Sequence, residues 1–208
     1  MRTKGIAYDT GFVRQGETSR ERFDPEVVRR ELAIIRDDLH CNAVQVVGGD
    51  PARLELAASH AVELGMEVWF SPYPLELTAG EILALLTDCA DRAERLRKRG
   101  AEIVFVTGVE LSIMNQGFMP GDSADERLAE VSARLNDFLR EAVAAVRDRF
   151  RGRVTYAAIP AERVDWTPFD IMSVESGKEF VGRVGHRIRP QFRPRCAVEV
   201  PAASLLGR

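Results

Sequence analysis

The chain has 208 residues, of which 45% are hydrophobic and 29% are charged, and its formal net charge is −3. This length fits one domain with a substantial core, and the composition is that of an ordinary globular protein. The small negative charge gives no reason to propose nucleic acid as a partner, and no apolar run reaches the length that a membrane-spanning helix needs.

The three cysteines, Cys41, Cys89 and Cys196, are odd in number, far apart and without a CxxC pair. We interpret them as reduced thiols of a cytoplasmic protein. The first residues lead straight into a predicted strand without the apolar core of a signal peptide, which also predicts a cytoplasmic location. The three histidines have no metal-ligand spacing. We therefore expect neither a metal nor a cofactor.

A repeated order of helix, single glycine and apolar strand runs along the chain. Gly65, Gly100 and Gly152 each end a helix-like segment and precede an apolar strand. Six strands are predicted, over residues 4–8, 42–47, 66–70, 103–107, 154–159 and 169–174. Continuous apolar strands that alternate with amphipathic helices are typical of a parallel sheet covered by helices.

The segments between these strands carry helix-start signals. Asp24 and Asp50 each precede a proline, which predicts an N-cap followed by proline at the first helical position. Thr78 and Glu81 have the spacing of a capping box. Asp122 is the predicted cap of the longest helix. A polar, arginine-rich loop is predicted between the first strand and the first helix.

Two closures of the sheet compete, an open doubly wound sheet and a (β/α) barrel. No GxGxxG or GxxxxGK[ST] motif follows a strand, which removes the usual arguments for nucleotide binding. A barrel would gather the polar residues that follow the strands on one face. These residues are Asp9-Thr10, Gly48-Gly49-Asp50, Ser71 and Tyr73, Glu110 and Ser112, and Glu175. We therefore predict an α/β, TIM-barrel-like fold.

The helix–strand order stops after the sixth strand. We predict an incomplete barrel domain over residues 1–175 and a basic, irregular tail over 176–208. The tail carries seven basic and two acidic residues, a net charge of +5, whereas the first 175 residues carry a net charge of −8. Two interpretations stay open: a natural basic tail, or a change of reading frame that replaced the last two β/α units.

Glu110 is the main candidate for chemistry. It follows the fourth predicted strand, where a carboxylate has no use in packing and would point into the mouth of a barrel. A glutamate that is partly desolvated by its surroundings can act as a general acid. The alternative is a solvated loop glutamate that caps a neighbouring amide.

Aromatic and polar residues near the strand ends are candidates for binding a sugar. Aromatic rings stack on the apolar C–H faces of sugars, and polar side chains bind hydroxyl groups. Each candidate has an alternative role in core packing or in a turn. The candidates are Trp69, Tyr73 and Trp166 among the aromatic residues, and Asp9, Asn42, Gln45 and Ser112 among the polar residues, with Ser71 beside them.

Most of the chain, residues 4–174, resembles the barrel glycoside-hydrolase-like proteins of actinobacteria. Genomes often label these proteins "abortive infection protein". The resemblance is carried by KGIAYDTGF, DDLHCNAVQVVGGD, GMEVWFSPYP, GAEIVFVTGVELS and RVTYAAIPAERVDWTPFDIMSV. More distantly, the layout is similar to the large clan of retaining barrel glycosidases.

The resemblance to the clan implies a role for Glu110. In the clan an Asn-Glu pair after strand four supplies the acid/base, and Glu110 matches the glutamate, with Val109 in place of the asparagine. The clan's strand-two segment is echoed by Asn42 and Gln45, with Gln45 in place of a frequent arginine. A glutamate after strand seven is the clan's nucleophile. Here the pattern has already ended, and Glu175 and Glu179 follow strand six.

Two functions stay open because retaining hydrolysis needs two carboxyl groups about 5 Å apart. The first is a glycoside hydrolase that acts on or binds a small carbohydrate or glycoside, with Glu110 as general acid/base. The second is a non-catalytic barrel that binds carbohydrate or protein, with a role in phage defence left open. A homo-oligomer that covers the two edges of an incomplete barrel is also expected.

Overall fold

The structure, a computed structural model, describes residues 3–114 and 124–174. Several expectations therefore lie outside the described residues. They concern Asp122, Glu175, Glu179, Cys196 and the tail over 176–208. The boundary between the barrel domain and that tail stays a prediction for the same reason.

Six parallel strands form one sheet, in the same order as in the sequence. They are β1 (Gly5–Asp9), β4 (Ala43–Gly48), β5 (Glu67–Pro72), β6 (Ile103–Val109), β7 (Arg153–Ala158) and β8 (Ser173–Val174). Parallel neighbours that follow each other in sequence need a crossover between them, and this order is the one found in (β/α) barrels. The TIM-barrel-like α/β prediction is confirmed, as an incomplete barrel of six strands.

Helices connect these strands, and the first three begin at the positions that the start signals predict. They are α1 (Pro25–Asp37), α2 (Pro51–Glu63), α3 (Ala79–Lys98), α4 (Leu111–Met114) and α5 (Ala124–Arg149), with a short 3₁₀ helix at Pro160–Glu162. The Asp24 carboxylate accepts the Glu26 amide at 2.8 Å, and Asp50 accepts the Ala52 amide at 2.8 Å. The capping box at the start of α3 is also present. No helix in residues 3–114 and 124–174 is long and apolar enough to cross a membrane.

Two elements differ from the sequence expectation. The predicted arginine-rich loop contains an antiparallel hairpin of β2 (Val13–Arg14) and β3 (Glu17–Thr18). Its turn has positive φ at Gln15 and Gly16, which matches the twist of a tight hairpin. The last strand begins at Ser173 rather than at 169, because the Phe169 amide bonds back to the Trp166 carbonyl and forms a turn.

The sheet separates two apolar clusters of unequal size. The larger cluster lies between the sheet and the helices and includes Val46, Phe70 and Phe105. The smaller cluster contains no residue of the four long helices, and it marks the opposite side of the sheet, which we call the inner face. Its buried members are Val47, Trp69, Tyr73, Leu75, Val104, Val106, Val109 and Ala157. A barrel interior of this kind is packed with side chains.

Within the described residues, β1 and β8 are the edge strands of the sheet. In the described residues, all the exposed large hydrophobic side chains lie in the first and last units of this sheet: Val13, Ile34, Leu39, Met172 and Val174. Exposed apolar groups beside unpaired strands favour association with another segment or chain. The homo-oligomer that covers these edges stays a prediction.

Candidate functional site

The carboxyl ends of β1 and β4 form a tightly packed part of the barrel mouth. The Thr10 hydroxyl donates to the Val47 carbonyl at 3.0 Å. A Cβ atom at Gly48 would lie 2.0 Å from the Thr10 Oγ1, so only glycine fits there. The Gly49 amide donates to the Gly11 carbonyl at 2.8 Å. This part of the mouth is therefore closed by backbone and small side chains.

The carboxyl end of β6 has a different geometry and carries Glu110. The pairing of β6 with β7 shifts register between Val106 and Val109, and Glu110 follows directly with a left-handed φ of 48°. Its amide donates to the Ala157 carbonyl at 2.9 Å. The residue is half-buried, and within the described part of the chain its carboxylate accepts no hydrogen bond. Glu110 thus lies at the carboxyl end of β6 with a carboxylate that has no partner among the described residues.

A buried glutamate that the sequence reasoning missed lies next to this turn. The Glu162 Oε1 atom accepts the Ser112 amide at 3.1 Å, the Ser112 hydroxyl at 2.6 Å and the Tyr156 hydroxyl at 2.8 Å. Its Oε2 atom accepts the Ile159 amide at 3.0 Å. The Tyr156 oxygen in turn accepts the Leu111 amide at 2.7 Å. We call these five residues the Glu162 network.

The electrostatics of the Glu162 network keep the Tyr156 hydroxyl protonated. Burial raises the pKa of the Tyr156 hydroxyl far above its ordinary value, and the negative charge of Glu162 raises it further. The charge of Glu110 adds a smaller effect in the same direction, which places that carboxylate within electrostatic range of Tyr156. Tyr156 is therefore a neutral donor. All four hydrogen bonds that Glu162 accepts within the described residues come from neutral donors.

Two predicted polar residues share the inner face of the sheet. The Gln45 amide nitrogen donates to the Ser71 Oγ atom at 3.2 Å, and both residues are buried. Asp9 pairs in register with Val47 at the carboxyl end of β1. Its Oδ1 atom accepts the Gly11 amide at 2.7 Å, which fixes the side chain in a local turn. Gln45 and Asp9 thus face the interior, partly committed to protein partners.

Two predicted aromatic residues also lie on the inner face. Trp69 is 3% exposed, and its indole nitrogen donates to the Glu67 Oε1 atom at 3.1 Å, towards the amino end of β5. Tyr73 is 4% exposed and lies edge-on to Phe12, with ring centroids 5.1 Å apart. Both rings belong to the inner core and are almost fully buried.

Three predicted residues lie elsewhere. Asn42 precedes β4 and therefore lies at the end of the sheet opposite Glu110. Its side chain accepts the Lys4 amide at 2.7 Å, just before β1 begins. Trp166 packs on the helix side against Phe169, with centroids 5.7 Å apart, because the turn before β8 directs it there. The Ser112 hydroxyl is buried and committed to the Glu162 network.

Asn42 instead lines a groove of about 490 Å³ at the amino end of the sheet. Glu67, Arg99 and Glu102 line the same groove. The ligand sites of parallel α/β barrels lie at the carboxyl ends of the strands, and this groove lies at the other end. No cluster of three metal-ligating side chains exists in residues 3–114 and 124–174.

Comparison with known proteins gives matches among solved structures. No protein-family model matches the chain, and no curated protein does. A GH113 beta-1,4-mannanase is 16% identical, with a TM-score of 0.57 over 84% of this chain and 62% of the mannanase. A GH113 beta-mannanase from Alicyclobacillus acidocaldarius is 16% identical, with a TM-score of 0.56 over 84% of this chain and 60% of that protein.

A beta-glucuronidase from Bacteroides uniformis is 13% identical, with a TM-score of 0.57 over 85% of this chain and 21% of that protein. The chain shares the fold of these glycoside hydrolases. Identities this low show the fold alone. The chain spans about three-fifths of the length of the mannanases and about a fifth of the glucuronidase. The resemblance to the actinobacterial proteins stays a prediction.

Proposed function

We propose that this chain is a glycoside-hydrolase-like barrel protein that acts on or binds a small carbohydrate or glycoside, with Glu110 as general acid/base. The observation that carries the proposal is the position of Glu110. It leaves the carboxyl end of a central strand in a left-handed conformation, half-buried, with a carboxylate that accepts no hydrogen bond from the described residues. A carboxylate with that exposure and no partner among the described residues is suited to a ligand.

The proposed chemistry needs two proton transfers at Glu110, one in each direction. Its carboxyl group would donate a proton to the glycosidic oxygen as the bond to the sugar breaks, and its carboxylate would later accept a proton from the attacking water. Asp9 and Gln45 are the proposed contacts for sugar hydroxyls. Trp69 and Tyr73 are the proposed apolar contacts.

A second function, carbohydrate binding without turnover, has its own support. Retaining hydrolysis requires a second carboxylate about 5 Å from the acid/base. Glu162 is the carboxylate that the structure ties most closely to the Glu110 turn, and both of its oxygens already accept hydrogen bonds. It is therefore a poor nucleophile, and a bound sugar would stay intact unless another group supplies one.

Hydrolysis and binding assays on Glu110→Gln test the proposal. The wild-type chain would be incubated with aryl glycosides and oligosaccharides, beta-mannosides and beta-glucuronides included, and sugar binding would be measured by calorimetry. We expect Glu110→Gln to lose about 10²–10⁴-fold in hydrolysis while it still binds sugar. Glu102→Gln, the same change in an exposed residue before β6, should behave as wild type.

The assay separates the two functions. Sugar binding without turnover by the wild-type chain would establish the binding function and contradict the hydrolase. A wild-type chain that neither binds nor hydrolyses any sugar in these panels would contradict both.

A further inference from the structure

The turn that presents Glu110 has a backbone that must be held in place. A left-handed conformation is uncommon for a residue other than glycine, aspartate or asparagine, and it persists only where the surrounding structure fixes it. Glu110 has φ 48° and is followed directly by the short helix α4. The direction of its side chain therefore depends on what holds the next residues.

Three consecutive amides of this turn are bound by the β7 unit. The Glu110 amide donates to the Ala157 carbonyl, the Leu111 amide to the Tyr156 hydroxyl and the Ser112 amide to a Glu162 oxygen. Amides in the first turn of a helix have no partner within the helix. Here side chains from a separate β/α unit satisfy two of them.

Glu162 is the residue on which this arrangement converges. It is 1% exposed, and its carboxylate binds the Ser112 amide and hydroxyl directly and the Leu111 amide through Tyr156. Its other oxygen binds the Ile159 amide at the exit of β7. One carboxylate thus joins the exits of β6 and β7, and its four donors in the described parts of the chain are neutral.

We propose that Glu162 is a positioning residue, whose carboxylate fixes the turn after β6 so that Glu110 faces the barrel mouth. The proposal rests on the proposed function of Glu110 for its catalytic consequence. Its mechanical part concerns the turn alone. Glu162 does not contact the reacting atoms in this account and transfers no proton.

Amide hydrogen exchange of the full chain, followed by NMR, tests the mechanical part. Exchange at Leu111 and Ser112 is expected to become at least about tenfold faster in Glu162→Ala, relative to the amides of Val104 and Phe105 in the same strand unit. Glu94→Ala is the matched control, because Glu94 is also buried and accepts the Arg151 amide, away from the Glu110 turn. Glu94→Ala should change the exchange rates of all these amides by a similar factor.

The conservative variant adds a readout that a loss of general stability would not give. Glu162→Gln keeps one oxygen for Ser112 and Tyr156 but places an NH₂ group against the Ile159 amide. We expect it to restore slow exchange at Leu111 and Ser112 in part. If Glu162→Ala fails to fold, Glu162→Gln and Tyr156→Phe carry the same comparison.

Kinetics on the same variants test the catalytic consequence. With a substrate from the glycoside panel, Glu162→Ala should lower kcat by about tenfold or more while KM changes by less than about threefold. Uniform exchange changes in Glu162→Ala, or an unchanged kcat, would overturn the positioning role. A wild-type chain without activity or sugar binding would refute the proposed function of Glu110, while the exchange data would still decide whether Glu162 fixes the turn.

Discussion

Two buried glutamates hold opposite ends of the same sheet, and their partners differ in charge. Glu94 accepts hydrogen bonds from the Arg97 guanidinium at 2.8 and 2.9 Å and from the Arg151 amide at 3.0 Å, before β7 begins. Glu162 lies after β7 ends, and its donors among the described residues are all neutral. Glu94 therefore has a cation that balances its charge, whereas no residue in the described part of the chain pairs a cation with Glu162.

This difference distinguishes a glutamate that only stabilises the fold, Glu94, from one that lies beside the candidate site, Glu162. A carboxylate paired with arginine suits the amino end of the sheet, where it has only to stabilise the fold. A carboxylate held by amides and hydroxyls shapes the backbone around it, and at the mouth that backbone carries Glu110. Buried carboxylates with neutral partners at the carboxyl ends of barrel strands are therefore worth testing as positioning residues.

The largest expected effect is the loss of stability on truncating these two side chains. Glu162→Ala should lower the free energy of unfolding by about 3 kcal/mol, because it leaves buried donors at Ser112, Tyr156 and Ile159 without an acceptor. Glu94→Ala should cost about 2 kcal/mol, because Arg97 is partly exposed and can rehydrate. Urea unfolding of both variants measures the difference, and equal losses would remove the distinction between the two ends.

A smaller effect is expected from pH. The hydrogen bonds from Arg97 lower the pKa of Glu94 from 4.5 to about 2, with the Arg151 amide acting in the same direction against a cost of burial. A carboxyl whose folded-state pKa is lowered stabilises the fold above its unfolded pKa, and that contribution is lost as the pH falls through the folded value. Wild-type stability should therefore decline between about pH 4.5 and 2.

Glu94→Gln should remove about 1 kcal/mol of that decline, a modest figure because solvent screens the exposed Arg97. Thermal unfolding across this pH range makes the comparison. Parallel curves for wild type and Glu94→Gln would show that the charge pair contributes nothing, and that the two ends do not differ in the way proposed.

Local signals in the sequence were enough to predict most of the fold. The Asp-Pro pairs, the Thr78–Glu81 box and the glycines before strands each act within a few residues, so the sequence shows them directly. The short hairpin around Gln15-Gly16 was missed because two-residue strands with exposed side chains have no apolar pattern. The position of Glu110 was predictable because it follows an apolar strand.

The remainder of the candidate site depends on contacts between distant residues. Glu162 binds Ser112, which lies 50 residues away in the sequence. The local hint of its role was that Glu162 lies three residues after Ile159, which is the spacing of a capping box. The predicted strand over 42–47 already placed Asn42 at its amino end, away from the carboxyl ends where a barrel site lies. Trp166 adjoins a predicted strand, but a turn carries its ring to the helix side.

Mapping of sugar binding by amide chemical shifts tests the central claim most directly. The wild-type chain would be titrated with manno-oligosaccharides and with a beta-glucuronide, and the shifted amides assigned. Binding at the barrel mouth predicts shifts at Glu110, Leu111 and Tyr73, and none at the amino-end groove around Asn42 and Arg99. Shifts confined to that groove, or no shifts with any sugar that the chain binds, would contradict a carbohydrate site built around Glu110.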